Sequence, residues 1–335
     1  MSRAQLTSTV EQNTGGAVAP YVAGKNKIIN GDFGIWARGT SFSNPTSSTY
    51  SADRWIGYSD ATSTVSQVAF DYGASPASDK LPISGQTGTY FLRINKSSGG
   101  SYAGLQQKIE DVHTFAGQTV TVSFWAKASV GGYVLAGDFG QNFGSGGSAS
   151  TDSFTITPTL TTSWQRFSYT YTFPSITGKT IGAGSYVVID IGRNLTGSAA
   201  LIMDFWGVQL EAGPVATPFT TASGTLQGEL ALCQRYYVQF GGTVSTPSNG
   251  AASTTVINRM PFPLPTAMRT TPSATYSGTP QVYDGVTLTN ITGLGSVFNS
   301  YNLVTIDVSV ASGLTQYRPY VLYMNSGTIN LSAEL

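Results

Sequence analysis

The sequence predicts an all-β protein built around a sandwich or jelly roll. Aromatic residues make up 12% of its 335 residues and charged residues only 10%, against about 25% charged in an average globular protein. Gly contributes 39 residues, and Ser and Thr fill much of the remainder, a composition that suits strands joined by tight turns. Several segments alternate apolar and hydroxyl residues with period two, and helical periodicity is scarce.

The first 25 residues are polar and contain Gly15, Gly16, Pro20 and Gly24, which interrupt regular structure. An extended arm and a disordered tail are both compatible with this composition. The opening stretch has one Arg and no apolar core segment, so we expect no signal peptide.

Residues 26–222 are predicted to form the sandwich. Its clearest strand is the run 167–173, in which Phe and Tyr alternate with Ser and Thr, so that one face is buried and the other is lined by hydroxyls. The run 120–126 follows the same rule. Further strands are expected at Tyr90–Ile94, Val187–Ile191 and Leu201–Leu210. We find no regular repeat period, which argues against a β-helix.

Residues 223–240 are predicted to form a short linker helix. Leu226, Leu230, Cys233 and Tyr237 fall on one helical stripe, and Thr225 is placed to cap its start. Residues 241–335 are predicted to form a small second β domain. They contain the alternating run 304–310 and end in an expected hairpin around 325–327.

Charge and cysteine content exclude several classes of protein. Seventeen basic residues balance seventeen acidic ones, so no positive field favours nucleic acid as a partner. The single cysteine, Cys233, rules out an intrachain disulfide. No apolar run approaches membrane-spanning length, so we expect no membrane insertion.

Several long segments carry a family resemblance. The stretch NKIINGDFGIWARGTSF (Asn26–Phe42) resembles the opening of a module found in tail-fibre and head-fibre proteins of tailed phages. The resemblance continues through Ser51–Trp55, Gly104–Ala128, Thr161–Ser175, Trp206–Phe219 and Glu229–Tyr237. The ending INLSAEL and the segment MPFPLPTAMRTTPSATY resemble the tips of such proteins more weakly.

This resemblance implies a jelly roll similar to carbohydrate-binding modules. It also implies a virion-surface protein, made in the host cytoplasm, that acts as a tail fibre and binds a host glycan or protein. The alternative is a head fibre or capsid-decoration protein with a structural or weakly adhesive role. In either case the N-terminal arm would bind other virion proteins, and a homotrimer is expected because the chain has little charge to guard its sheet edges.

Candidate catalytic residues are few. His113 is the only histidine, so it limits histidine-based triads to one centre. The adjacent acids Glu110 and Asp111 are expected to point apart, and the sequence brings no two acids together for glycoside hydrolysis. We therefore expect no enzymatic activity and no cofactor, with one exception.

That exception is a structural calcium ion, which related jelly rolls often hold. The matching positions are Asp32 and Asp204, and oxygen ligands suit this ion. The alternative is that Asp204 pairs with Arg38, Arg54 or a backbone donor.

Ligand-binding residues are expected in loops rather than among the tryptophans. Core packing is expected for Trp36, Trp55, Trp164 and Trp206, whereas Trp125 is out of phase with its strand and is expected to face outward or into a subunit interface. The Gly/Ser-rich stretch 131–150 and the tip of the second domain carry the aromatic and amide side chains that could bind a glycan or protein. These candidates are Tyr133, Phe139, Gln141, Asn142, Phe143, Tyr301, Tyr317 and Tyr320. Packing onto the core, or across a trimer, is the alternative for each.

Overall fold

The computed structural model describes residues 24–71, 88–195 and 199–335. The predicted arm, residues 1–25, therefore lies outside the described residues apart from its last two. Within the described residues the chain is nearly all β, with one short α-helix and one 3-10 helix at Val112–Thr114. The predicted fold class is confirmed, and the predicted domain boundaries at residues 222 and 240 stay a prediction.

The N-terminal half forms a sandwich of two antiparallel sheets. Its strands are β1 (Ser41–Ser43), β2 (Ile56–Ser59), β3 (Ser63–Ala69), β4 (Tyr90–Lys96), β5 (Ala103–Glu110), β6 (Thr119–Ala128), β7 (Leu135–Asn142), β8 (Thr151–Ile156), β9 (Gln165–Thr172), β10 (Tyr186–Leu195) and β11 (Leu201–Ala212). One sheet has the order β1-β3-β4-β11-β6-β9 and the other has the order β2-β5-β10-β7-β8. All five predicted strands of this half are present.

The core of the sandwich lies between the two sheets because strand residues alternate between faces. Val122 and Phe124 of β6 face Val187 and Ile189 of β10, and all four are fully buried. Full burial of a side chain of this size stabilises the fold by about 1.5–3 kcal/mol. Trp55 is also fully buried in this cluster, as predicted.

A smaller aromatic cluster covers the outer face of the six-stranded sheet. Trp206 is buried there with Phe70, Phe91 and Phe219. Trp125, as predicted, points to this outer side and packs against the cluster. Core packing was predicted for Trp206 and Trp164, and Trp206 is buried in this cluster while Trp164 packs against it.

The helix α1 runs from Leu226 to Gln234, and the side chain of Thr225 accepts a hydrogen bond from the N–H of Gly228 at its start. The helix was predicted correctly, but only half of its predicted buried stripe is buried: Cys233 and Tyr237 are buried, whereas Leu226 is 72% and Leu230 39% exposed. The buried side chains are Cys233 and Glu229. Glu229 is buried because its carboxylate accepts hydrogen bonds from the backbone N–H groups of Asn30 and Ser223.

The C-terminal part contains a three-stranded sheet and a closed barrel, in the orders β12-β20-β15 and β13-β14-β18-β17-β16-β19. The strands are β12 (Tyr237–Gly241), β13 (Ser245–Ala252), β14 (Ile257–Pro263), β15 (Ser273–Tyr276), β16 (Gln281–Tyr283), β17 (Leu288–Ser300), β18 (Leu303–Val310), β19 (Pro319–Met324) and β20 (Thr328–Ser332). The predicted closing hairpin was wrong, since β19 and β20 do not pair. Instead Leu331 of β20 pairs with Val238 and Ala274 at the centre of the small sheet.

Buried ion pairs join the sandwich to the chain's last strand. The Glu334 carboxylate binds Arg38, at 2.9 Å, and also Arg54. The guanidinium of Arg54 lies 3.5 Å from the ring centroid of Tyr236, and that of Arg38 lies 3.7 Å from the ring centroid of Tyr237. Both tyrosines follow α1 directly, so helix, sandwich and final strand meet at one point.

Candidate functional site

A polar cleft opens on the outer face of the five-stranded sheet. Its volume is about 190 Å³. Its described lining residues come from β5, β7, β8 and β10 and from the connection before β8: Gln106, Asp138, Gln141, Asn142, Ser150, Asp152, Tyr186 and Val188. Most of these side chains carry hydroxyl, amide or carboxylate groups.

Strand register explains why these residues meet. Asp190 of β10 lies directly opposite Gln106 of β5 and Asp138 of β7, so the three form one row across the sheet. Tyr186, four residues earlier on β10, points to the same face and lies opposite Asn142. Val188 points to this face as well, whereas Val187 and Ile189 point inward to the core. The cleft therefore depends on pairing between strands that are distant in the sequence.

The lining residue Gln106 belongs to a hydrogen-bonded network around Asp190. The amide of Gln106 donates to one carboxylate oxygen at 3.0 Å, and the hydroxyl of Tyr58 donates to the other. Asp190 and its neighbour Asp138 are both buried. Sequence reasoning did not bring these two acids together, because their positions are joined only by the register of β7 and β10.

Tyr186 forms an aromatic wall. Its ring is half-buried, and the Lys108 ammonium lies 4.9 Å from the ring centroid. Burial, and next the carboxylate of Asp152, raise the pKa of the Tyr186 phenol above its ordinary value. The phenol therefore stays protonated at neutral pH, when it can donate a hydrogen bond as well as offer a ring face.

Gly140 keeps the middle of the cleft open. A Cβ atom at this position would lie 2.7 Å from Cγ1 of Val188 and 2.8 Å from Oδ1 of Asp152. Asn142 is anchored beside it, since its Oδ1 accepts from the N–H of Gly144 at 2.9 Å and its Nδ2 donates to Ser150 at 3.1 Å. The arrangement combines a ring face with fixed hydrogen-bonding groups, which is how proteins bind polyhydroxylated ligands.

The middle of the stretch 131–150 is the strand β7 rather than part of the predicted loop. Phe139 and Phe143 are each 1% exposed, as is Gln141, so the prediction of exposed ligand-binding aromatics was wrong for the two phenylalanines. Phe139 points from β7 into the core between the sheets, and Phe143 is buried just beyond the end of β7. Tyr133 is half-buried and packs on the sandwich core. Asn142 does reach the cleft, and Gln141 lines it while bonding to the Pro174 carbonyl.

The candidate tyrosines of the second domain do not form one site. Tyr320 is 4% exposed, and its hydroxyl accepts a hydrogen bond from the N–H of Thr315. Tyr301 and Tyr317 are 81% and 78% exposed. They lie at opposite ends of the barrel, because Tyr301 precedes β18 and Tyr317 follows it.

The two aspartates expected to bind calcium do not fit that ion. Asp204 forms two hydrogen bonds with Arg93, at 2.7 and 2.9 Å, and lies 3.5 Å from the Lys127 ammonium. A carboxylate held by two cationic side chains is unsuited to a further cation. Burial, and next Glu229, raise the pKa of Asp32 above its ordinary value. The described ranges contain no group of three or more His, Cys, Asp or Glu side chains that could hold a metal.

His113 and the adjacent acids Glu110 and Asp111 form separate surface contacts. His113 is exposed and its Nδ1 lies 2.6 Å from the Asp111 carboxylate, whereas Glu110 binds Arg235 at 3.0 Å. The adjacent acids thus point apart, as expected. Across the described part of the chain, no helix has the length and apolarity needed to cross a membrane.

One family model matches a segment that contains most of the cleft's lining residues. Residues 69–183 match a family model described as a carbohydrate binding domain. All the described lining residues fall inside this segment except Tyr186 and Val188. The model's description names binding and no reaction. No curated protein matches the chain.

Three similar solved structures differ in what they do. The CBM22-1 xylan-binding domain from Paenibacillus barcinonensis Xyn10C is 11% identical, with 58% of this chain and 99% of that chain covered and a TM-score of 0.34. A cyclase from Fischerella sp. TAU is 15% identical, with 59% and 100% covered and a TM-score of 0.38. The enzymatically active domain of bacteriophage CBA120 tailspike protein 4 is 14% identical, with 56% and 22% covered and a TM-score of 0.34. Likenesses this distant carry no functional argument.

Proposed function

We propose that this chain is a non-catalytic attachment protein that binds a glycan in the cleft of the five-stranded sheet, as a tail fibre on the surface of a tailed-phage particle. The cleft carries the glycan part of this proposal, because its lining strands β5, β7 and β8 lie within the segment similar to a carbohydrate binding domain. The phage part rests on the resemblance of Asn26–Phe42 and Glu229–Tyr237 to fibre proteins.

The chemistry of the cleft suits a sugar. A pyranose ring offers C–H groups on its faces and hydroxyls around its edge. Tyr186 supplies the ring face, and Gln106, Asn142 and Asp152 supply hydrogen-bonding groups. A neutral sugar needs no charged protein surface to attract it, and the formal net charge of this chain is zero.

Glycan binding is tested on an array of bacterial surface glycans with three full-length proteins. Wild type is expected to bind at least one glycan, and Tyr186→Ala to bind it about tenfold more weakly, a loss of ~1.4 kcal/mol. The control is Tyr276→Ala, because Tyr276 is 37% exposed on the small C-terminal sheet and should not affect binding. Equal binding by Tyr186→Ala and wild type would contradict the proposed site.

Absence of catalysis is tested on the same glycan. Asp138 and Asp190 lie opposite each other on neighbouring strands, and glycoside hydrolysis uses two carboxyl groups, but both Asp190 oxygens already accept hydrogen bonds within the protein. Incubation is expected to release no new reducing ends. Turnover that disappears in Asp190→Asn would overturn the non-catalytic assignment.

The particle context is tested by location and stoichiometry. Residues 1–25 would attach the protein to other virion proteins, and the chain would act as a homotrimer made in the host cytoplasm and displayed on the virion. Labelled antibody is expected to decorate the tail, and light scattering to give three copies. Antibody on the head would support the head-fibre or capsid-decoration alternative, and a monomer would contradict the trimer.

A further inference from the structure

Strand register separates the charged side chains of the cleft. One row of paired residues crosses the five-stranded sheet from Lys108 of β5, through Val188 and Gly140, to Asp152 of β8. Neighbouring strands lie about 4.8 Å apart, so the backbones of Lys108 and Asp152 are about 14 Å apart, on opposite sides of the cleft. Charges at this separation are largely screened from each other at physiological ionic strength.

Asp152 borders the open middle of the cleft. A Cβ atom on Gly140 would lie 2.8 Å from Oδ1 of Asp152, so this oxygen lies beside the space that the absence of a side chain at Gly140 leaves. Burial, and next the charge of Asp152, raise the pKa of the Tyr186 phenol, so the carboxylate also acts on the aromatic wall. A ligand that stacks on Tyr186 and fills the space above Gly140 therefore lies next to this carboxylate.

The cleft has a surplus of negative charge. Among the lining residues that the structure describes, the ionisable side chains apart from Tyr186 are the two acids Asp138 and Asp152. A third acid, Asp190, lies opposite Asp138 on the neighbouring strand and accepts a hydrogen bond from the lining residue Gln106. A ligand in the cleft is therefore exposed to several carboxylates.

Two lysines lie around the cleft, and both make other contacts. The ammonium of Lys108, near the ring of Tyr186, donates a hydrogen bond to an oxygen of Leu335 at 2.9 Å. The ammonium of Lys179 lies 5.8 Å from the ring centroid of Phe143, which follows β7. Neither lysine is among the described residues that line the cleft, so neither supplies a cation above Gly140.

The hydrogen-bonding capacity of a carboxylate limits what can lie beside it. An ionised carboxylate accepts hydrogen bonds and donates none. The ligand group above Gly140 must therefore be a donor, as a sugar hydroxyl or a free amine is. An ionised carboxylate or phosphate group on the ligand offers acceptors only, and its charge is repelled by Asp152. Like charges placed together across an interface exclude wrong partners in this way.

We propose that the cleft binds neutral and amino sugars and rejects acidic sugars, and that Asp152 is the residue that sets this preference. The inference rests on the proposed glycan-binding function and names the class of sugar that the same site takes. A free amine gains most from this site, because it donates hydrogen bonds to the carboxylate and is attracted by its charge.

The test uses three sets of matched hexasaccharides, built from glucose, galactose and mannose. Each set has a neutral member, a member with free 2-amino groups and a member with 6-carboxylate groups, and the linkage is the same within a set. Binding of the full-length protein to each member is measured by titration calorimetry, beside the array of bacterial surface glycans.

In every set that wild type binds, the acidic member is expected to bind about tenfold more weakly than the neutral one, and the amino member at least as tightly as the neutral one. Asp152→Asn keeps an acceptor oxygen and removes the charge, so the ratio of acidic to neutral binding should rise about fivefold.

The matched control is Asp284→Asn, which removes the same charge from the connection between β16 and β17 of the barrel. An Asn side chain can still accept from the N–H groups of Val286 and Thr287, as Asp284 does. The ratio of acidic to neutral binding should be the same in this control as in wild type.

Salt separates an effect of charge from a change of shape. The Debye length falls from about 30 Å at 0.01 M salt to about 10 Å at 0.1 M, so wild type should discriminate less against acidic members at the higher concentration. The discrimination by Asp152→Asn should depend less on salt. Because Asp152 is exposed, its replacement should leave the melting temperature unchanged.

The inference is overturned if wild type binds the acidic members as tightly as the neutral ones, or if Asp152→Asn has the same ratio as wild type. If no set binds, the glycans bound on the bacterial array decide, and a majority with uronate or phosphate groups would overturn it. In these outcomes Tyr186→Ala still weakens glycan binding. Failure of the proposed function instead appears as absence of glycan binding, or as equal binding by Tyr186→Ala and wild type.

Discussion

Asp32 is a half-buried carboxyl near Glu229, and partial burial is the main cause that raises its pKa. The folded state therefore binds the Asp32 proton more readily than the unfolded state does. The stability contributed by this proton is present below the ordinary pKa of 3.8 and is lost as pH rises through the raised folded pKa. Asp32→Asn removes the partly buried charge, so it should raise the melting temperature at neutral pH and change it little below pH 3.8. A variant that melts lower than wild type at neutral pH would contradict this account.

Asn258 lies fully buried on β14 in the barrel. Neither its Nδ2 nor its Oδ1 atom has a hydrogen-bond partner within the protein, and an unsatisfied buried group costs about 1–3 kcal/mol. Asn258→Leu keeps a similar shape without polar atoms. We expect it to raise the free energy of unfolding by about 1–2 kcal/mol, measured by urea denaturation. A decrease would mean that the amide does have a partner.

At the scale of elements, Asp204 joins three strands. It lies on β11 opposite Arg93 of β4 and Lys127 of β6, and it binds both. Asp204→Ala leaves two cations without their acceptor, which should cost about 3 kcal/mol in thermal or chemical unfolding. Because the carboxylate is occupied by cations, calcium and chelator should leave the melting temperature of wild type unchanged. A chelator-dependent fall would restore the calcium hypothesis.

Strands and helices could be predicted where the residue pattern is local. Burial and strand pairing were predicted wrongly where they depend on residues that are distant in the sequence. The alternation at 167–173 predicted β9 because one strand face packs on the core. The helix α1 was predicted from Thr225 and its spacing, but its buried face was predicted only in part. Leu226 is exposed and Glu229 buried, because Asn30, nearly two hundred residues away, donates to that carboxylate. The closing hairpin failed for the same reason, since β20 pairs with β12 and β15.

At the scale of the whole molecule, Glu334 couples the final strand to the sandwich. It is the shared partner of Arg38 and Arg54, and Arg54 is 1% exposed. Glu334→Ala leaves a buried guanidinium without its carboxylate, which should cost about 3–5 kcal/mol. Calorimetry is expected to replace one cooperative transition by two, as sandwich and barrel unfold separately. A single transition at the wild-type temperature would contradict this coupling.

The cleft was beyond the reach of sequence reasoning. Tyr186, Asp138 and Gln106 lie on different strands, and none belongs to a motif whose spacing predicts a site. Of the predicted residues, the fold brings Gln141 and Asn142 to the cleft, and both were chosen as part of a loop. Register between β7 and β10 decides the site, and register is set by the burial of residues on the opposite face.

The most direct test is a crystal structure of the full-length protein with the glycan that binds best on the array. Electron density for a sugar ring is expected against Tyr186, with hydroxyls bonded to Asn142 and Asp152, on the outer face of the five-stranded sheet. Density for the glycan at the barrel or on the six-stranded sheet, with the cleft unchanged, would contradict the central claim that this cleft is the glycan-binding site.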